Sequence, residues 1–395
     1  MKQVLLWLAV LTLIGFAIAR FTTTGVPAPA EPPNLDSGSR LSTLLGSGGA
    51  EGYAMARSAR TFHFPEDHGP HRDFRNEWWY LTGNLDDEEG RRFGYELTIF
   101  RFSLSPGKPA QEHAPVSSNW HTNQVYMAHF TVTDVKNERF HVAQRFARGA
   151  LGLAGAQREP FRVWIEDWSI ADNRPGDSAD RASEDWWLAA AAEDFALALN
   201  LTAVKPPVLN GVAGLSQKAA AAGNASYYYS IPRLRSAGTL RIGATSYRVS
   251  GLSWLDREWS SSALAPDQRG WDWFALQLAD GSDLMFYNIR KTDGSQDANS
   301  AGTRIPAGGE ARHLSPDDVL IRVSGHWQSP DGIEYPARWD IRLPALDLEL
   351  NVTPVIANQQ LVTAVRYWEG AVDVRGRRGQ QAIEGRGYVE LTGYE

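Results

Sequence analysis

Runs in which apolar and polar residues alternate, each ended by a short acidic or glycine turn, recur along most of this chain and favour an antiparallel β fold. Positions 80–85 (YLTGNL) and 92–102 (RFGYELTIFRF) alternate with period two around the turn DDEEG at 86–90. Side chains spaced this way fall on opposite faces of a strand. Positions 125–134, 161–170 and 186–201 continue the pattern, and Glu193 with Asp194 splits the last of them. The second half repeats it at 274–278 and 284–290 around Asp280-Gly281, then at 319–327 and 334–343 around Pro330-Asp331-Gly332. Asp-Gly between alternating runs is a hairpin signal. Helical spacing is scarce, and the short alanine run at 219–222 stops at Gly223.

Many short strands at regular spacing predict an all-β protein built as a sandwich or barrel, and a barrel closes its own edges. The segment EWWYLTGNL (77–85) is echoed by WDWFALQL (271–278), each with paired aromatics at a strand entrance. The echo suggests duplication. The expectation is two antiparallel β-barrel domains in tandem, at 61–250 and 251–395.

The N-terminus carries an address. Met1-Lys2 is followed by an uncharged apolar run from Val4 to Ala19, closing on the small residues Ala17 and Ala19. That pattern predicts a signal peptide at 1–19 and a mature chain starting at Arg20, hence a periplasmic or secreted protein. The alternative is an uncleaved signal anchoring it to the inner membrane, although a bilayer span wants about 20 apolar residues. Positions 20–60, with Pro27, Pro29, Pro32, Pro33, Gly46, Gly48 and Gly49, read as a flexible linker.

Net charge is −7 with acids and bases interspersed. A surface without basic blocks does not suit a phosphate backbone, and nucleic acid is not an expected partner. There are no cysteines, so thiol nucleophiles and thiolate metal sites are absent. No G-x-S-x-G elbow, H-E-x-x-H helix, Walker loop or dinucleotide glycine pattern occurs, and no cofactor or metal is expected. His63, His68 and His71 with Asp67 and Asp73 crowd a Pro/Gly loop. Capping and ion pairing with Arg72 or Arg75 is the favoured reading over metal ligation.

Chemistry concentrates in two tryptophan-rich segments, 63–85 and 251–290. Indoles bury large apolar areas and keep one N–H donor, so indoles beside carboxylates suit an apolar or cationic guest. The expected ligand-binding residues are Glu77, Trp78 and Trp79 in the first segment and Trp254, Glu258, Trp271 and Trp273 in the second. Asp256 and Asp272 are the candidate acids. A carboxyl among indoles loses hydration, its pKa rises, and it can donate a proton near neutrality. In strand alternation Asp272 takes the face opposite Trp271 and Trp273. The competing reading is that Arg257 and Arg269 neutralise these acids in a structural network.

Four motifs occur in order: FPEDHGPHRDFRNEWWYLTGNL (64–85), NQVYMAHFTVTD (123–134), YYYSIPRLRSAGTL (227–240) and GLSWLDREWSSSALAPDQRGWDWF (251–274). Together they resemble the secreted AttH-like and carotenoid-hydratase-like family, from about Phe62 to the C-terminus. The resemblance implies two lipocalin-like (calycin-type) barrels side by side with an apolar pocket. It also implies relatives that hydrate terminal carotenoid double bonds by acid protonation, and bacterial members exported and encoded beside ABC-transporter permeases. Two functions follow as expectations. The first is an exported binder of a hydrophobic small molecule, isoprenoid or lipid-like, working with an ABC-transporter permease. The alternative is a cofactor-independent hydratase or cyclase that protonates a polyene.

Overall fold

The computed structural model describes residues 49–106, 120–173, 184–262 and 264–394. The expected signal peptide and most of the expected linker lie outside these residues. The protein is all-β: its described helical turns are three short 3-10 segments, and the alanine run at 219–222 forms bends and turns.

The first sheet contains β1 (Asn76–Asp87), β2 (Arg92–Ser103), β3 (Gln124–Asp134), β4 (Arg139–Arg148), β5 (Ala154–Gln157), β6 (Arg162–Ile165), β7 (Trp168–Asp172), β8 (Asp185–Ala191), β9 (Phe195–Ala203), β10 (Val208–Leu209), β11 (Leu215–Gln217), β12 (Ala225–Ile242) and β13 (Thr245–Ser260). Its order is β4-β3-β2-β1-β13-β12-β9-β8-β7-β6-β5, with β10 and β11 beside β12. The ends of this path fold back on each other, because β6 packs against β2, β3 and β4. The sheet is a nearly closed barrel.

The second sheet contains β14 (Gln268–Leu278), β15 (Asp283–Lys291), β16 (Ala301–Ile305), β17 (Arg312–Leu314), β18 (Leu320–Gln328), β19 (Glu334–Leu343), β20 (Leu348–Pro354), β21 (Gln360–Val362), β22 (Arg366–Arg378) and β23 (Gln381–Leu391). Its order is β17-β16-β15-β14-β23-β22-β20-β19-β18, a half-barrel, with β21 beside β22. In both sheets the first strand lies between the second and the last, β1 between β2 and β13, β14 between β15 and β23. The segments that echo each other in sequence therefore occupy equivalent places.

Two expected boundaries move. The break expected at 250/251 falls inside β13, whose residues 245–260 pair with β12 and, from Val249 on, with β1. A strand committed to two neighbours cannot be divided between domains, so the first unit runs to Ser260. The end of the expected linker is docked rather than free. Ala56 is in the first core, the Ala54 N–H donates to the Asp73 carbonyl at 2.9 Å, and Arg60 pairs with Asp67 at 2.9 Å.

The first barrel's interior is filled. Trp79, Tyr95, Phe130, Trp168, Trp186 and Trp259 pack there with aliphatic side chains in one cluster. A second core fills the concave side of the half-barrel around Phe274, Trp339 and Trp368. A third apolar cluster, with Tyr80, Tyr228, Trp254, Trp273 and Tyr388, combines residues of both sheets. It lies between the outer face of the barrel and the opposing face of β14, β22 and β23. Here backbones approach closely: a Cβ on Gly94 would come within 2.7 Å of the Ala371 methyl. Asn84 Nδ2 donates to the Gly387 carbonyl at 3.1 Å, and Lys205 pairs with Asp283 at 2.7 Å.

Candidate functional site

Strand alternation delivers the site to this junction. Even-numbered residues of β1 and β13 (Trp78 and Tyr80; Trp254, Asp256 and Glu258) face the second sheet, while odd-numbered Glu77, Trp79, Arg257 and Trp259 face the barrel core. On β14, Trp271 and Trp273 face the junction and Asp272 faces the second core. The two sheets enclose a cavity of about 140 Å³. Its walls are largely apolar: Trp78, Tyr80, Phe100 and Met127 from one side, Trp271, Trp273 and Tyr287 from the other.

Carboxyl groups interrupt this wall. Asp256 accepts hydrogen bonds from the Tyr228 hydroxyl, from Ser230 Oγ at 2.5 Å and from Trp254 Nε1 at 2.7 Å. Burial pushes its pKa up to about 7 despite those three donors. Glu258, beside it, holds Lys218 Nζ at 3.1 Å. The Lys218 ammonium also sits 4.0 Å from the Tyr287 ring centroid. Burial works against this cation, but Glu258 and Tyr287 outweigh it and keep the lysine above its ordinary value.

Across the cavity stand Glu369 on β22 and Glu390 on β23, directly opposite each other in register. Glu390 accepts from Trp271 Nε1 at 3.2 Å, and burial raises its pKa to about 8. Glu369 is fully buried, and burial plus the neighbouring Glu96 and Glu390 hold its proton on well above the ordinary carboxylate range. Tyr80 and Tyr367 adjoin it, yet neither Glu369 oxygen has a hydrogen bond of normal geometry. Glu96, also fully buried, is raised by burial to about 8. His129 bonds Tyr367 Oη at 2.6 Å, and burial pushes it down to about 3, so its ring is neutral.

The structure sorts the expected residues. Trp78, Asp256, Glu258, Trp271 and Trp273 line the cavity, and Trp254 adjoins it by supporting Asp256. Glu77, Trp79 and Asp272 do not, because each lies on the reverse face of its strand. Glu77 is enclosed by Arg101 and Arg257, and Trp79 stacks under Arg257 at 4.0 Å. Asp272 pairs with Arg290 at 3.0 Å and accepts from Tyr394 at 2.9 Å. The neutralisation expected from Arg257 and Arg269 thus falls to Arg290 for Asp272, while among the described residues no arginine pairs with Asp256. The histidine loop forms polar contacts: His71 Nε2 lies 2.9 Å from Asp67, and His68 Nδ1 2.6 Å from Tyr229 Oη. Among the described residues no group of three or more His, Asp or Glu is disposed to hold a metal ion.

Sequence reasoning missed Glu96, Glu369, Glu390, Lys218 and Tyr228. For the glutamates a signal existed. Glu369 in RYWEGAV and Glu390 in GYVEL are lone acids inside apolar strand runs, where a charge is expensive unless it has a task.

A nearly closed β-barrel and a half-barrel clasping a carboxyl-bearing aromatic cavity define the class: a tandem lipocalin-like protein. The chain belongs to the AttH-like family, whose sequence model matches residues 55–394. An AttH protein of Nitrosomonas europaea is 34% identical with a TM-score of 0.74, covering 87% of this chain and 100% of that one. Kievitone hydratase of Nectria haematococca shares the fold at 15% identity and a TM-score of 0.62, covering 87% of this chain and 97% of its own. No functionally curated protein matches in sequence.

Proposed function

We propose that this protein takes an apolar small molecule into the inter-sheet cavity and protonates a carbon–carbon double bond there without a cofactor, as a hydratase or cyclase does. The carrying observation is a largely apolar aromatic cavity whose wall bears carboxyl groups that keep a proton near neutral pH, Asp256 at about 7 and Glu390 at about 8. General acids work best when their pKa lies near the working pH. Indole and phenol faces stabilise the carbocation that protonation creates. Water then adds to the cation, or a second double bond captures it with loss of a proton. A cavity of about 140 Å³ is close to the roughly 150 Å³ that accommodates benzene. A long polyene would therefore enter by one end. The kievitone hydratase fold is compatible with this chemistry; at that identity the likeness speaks of fold alone.

A second reading is a carrier, exported and handing an isoprenoid or lipid-like molecule to an ABC-transporter permease. What favours it is that Asp256 already satisfies three donors, as an anchoring group would. One experiment separates the two. The purified protein is incubated with an isoprenoid series in water enriched in oxygen-18, and products are followed by mass. Labelled alcohol or cyclised isomer supports the enzyme. Unaltered isoprenoid that co-purifies and never turns over supports the carrier.

A further inference from the structure

The carboxyls of the cavity differ in how they are supported, and the difference divides the labour of the proposed reaction. Asp256 is surrounded by donors. Trp273 Nε1 donates to Tyr228 Oη at 3.1 Å, which leaves the Tyr228 hydroxyl hydrogen for Asp256; Ser230 and Trp254 supply two more. An ionised carboxyl only accepts, so three donors favour the charged form. Glu369 has the reverse surroundings. Its oxygens are buried with only the Tyr80 and Tyr367 hydroxyls adjoining and no hydrogen bond of normal geometry. Glu390 stands opposite it in register, and Glu96, equally without such bonds, is its other acidic neighbour but does not line the cavity. Carboxyls so placed cannot all ionise, and of the two glutamates that line the cavity Glu369, which lacks the Trp271 donor that Glu390 has, keeps its proton. Tyr80 links the two poles: it pairs directly opposite Asp256 between β1 and β13, and it adjoins Glu369.

We propose that Glu369 is the proton donor of the site and Asp256 the base that takes the proton released by the incoming water. This rests on the reading of the cavity as a site of alkene protonation. The Glu369 O–H bond breaks as the alkene π pair forms a new C–H bond. The adjacent carbon becomes positive beside the aromatic wall of Trp78, Trp271 and Trp273. A water lone pair forms the C–O bond, and one water proton passes to Asp256. Exchange with solvent then moves one proton off Asp256 and one onto Glu369, so the sum is addition of one water. The substrate class is accordingly a neutral alkene with an electron-rich, branched double bond, since a substrate already cationic would resist protonation.

The first test needs no substrate. At pH 7.5 the infrared carbonyl stretch of protonated carboxyls is recorded for protein labelled with carbon-13 in either glutamate or aspartate carboxyls. The band should shift mainly with the glutamate label, to which Glu96 and Glu390 also contribute, and only in its smaller part with the aspartate label. It should lose intensity in Glu369→Gln and keep most of it in Asp256→Asn. A band that follows the aspartate label, or that survives intact in folded Glu369→Gln, overturns the assignment. Glu96 and Glu390 add to the glutamate band, so Glu369 is read from the part lost in Glu369→Gln. If that variant does not fold, Glu369→Asp decides, because it should move that part of the band from the glutamate to the aspartate label. A second arm uses myrcene, a ten-carbon polyene, in deuterated water. If the wild type incorporates deuterium on carbon, Glu369→Gln should cut the rate about a hundred-fold or more, and retained turnover overturns the proposal. If the wild type leaves myrcene unlabelled, protonation of this alkene class fails, while the infrared result still decides which carboxyl holds the proton.

Discussion

Glu369 and Glu390 stand directly opposite each other on β22 and β23, two carboxyls on one face of one strand pair. Like charges in opposed positions repel at the shortest cross-strand distance, and here the facing medium is an aromatic cavity rather than water. The pair exists without conflict only while protons neutralise it. The molecule's pH response follows from that.

Glu96 and Glu390 are raised to about 8 by burial, against an unfolded value near 4.3. Between those limits the folded state binds more protons than the unfolded chain, so stability falls as pH rises from about 4.5 to about 8. Each group contributes a slope approaching about 1.4 kcal/mol per pH unit in mid-window. Urea unfolding should show a higher midpoint at pH 5.5 than at pH 8, and Glu390→Gln should flatten the difference. Stability that is level or rises across this window would refute the buried-proton account.

Trp271 and Trp273 share a face but not a burden. Trp273 is almost fully buried, packs edge-on to Tyr80 at 5.1 Å and donates to Tyr228. Trp273→Ala should cost about 3–5 kcal/mol, seen as a lower melting temperature. Trp271 is only half-buried. Trp271→Ala should leave folding nearly intact and weaken binding of geraniol, followed by intrinsic fluorescence. Unchanged affinity would mean that the ligand sits elsewhere.

Glu77 lies between two fully buried guanidinium groups, Arg101 and Arg257, which with burial opposing them hold its carboxyl well below the usual range. Removing its charge leaves two buried cations uncompensated, which costs about 3–5 kcal/mol. Glu77→Gln should therefore be one of the more damaging single changes in calorimetry. If it folds normally and loses only ligand, Glu77 belongs to the site after all.

Asp272 offers the opposite control. Asp272→Asn weakens the contacts with Arg290 and Tyr394, with an expected cost of about 1–3 kcal/mol. Geraniol affinity should match the wild type, because the side chain faces the second core. A large loss of affinity at unchanged stability would contradict the placement of its face.

Much of this protein was legible in its sequence. Period-two runs and Asp-Gly turns marked β1, β2, β3, β14 and β15, and the ordered tryptophan motifs marked the family. Alternation even separated Asp272 from Trp271 and Trp273. What alternation cannot say is which face of a strand meets the cavity, since both faces of β1, of β14 and of β13 from Ser253 on are buried, one against a core and one against the other sheet. Only docking of the sheets made the even-numbered side of β13 a site and the odd-numbered side a core. The same holds for the carboxyls across the cavity from Asp256. Glu369 and Glu390 lie more than a hundred positions away in the chain, and pairing of β14 with β23 and of β23 with β22 carries them there. Local pattern fixes the strands because side-chain direction is a property of one residue and its neighbours. The site is a sum of long-range pairings and buried faces, and that sum is made only in the folded molecule.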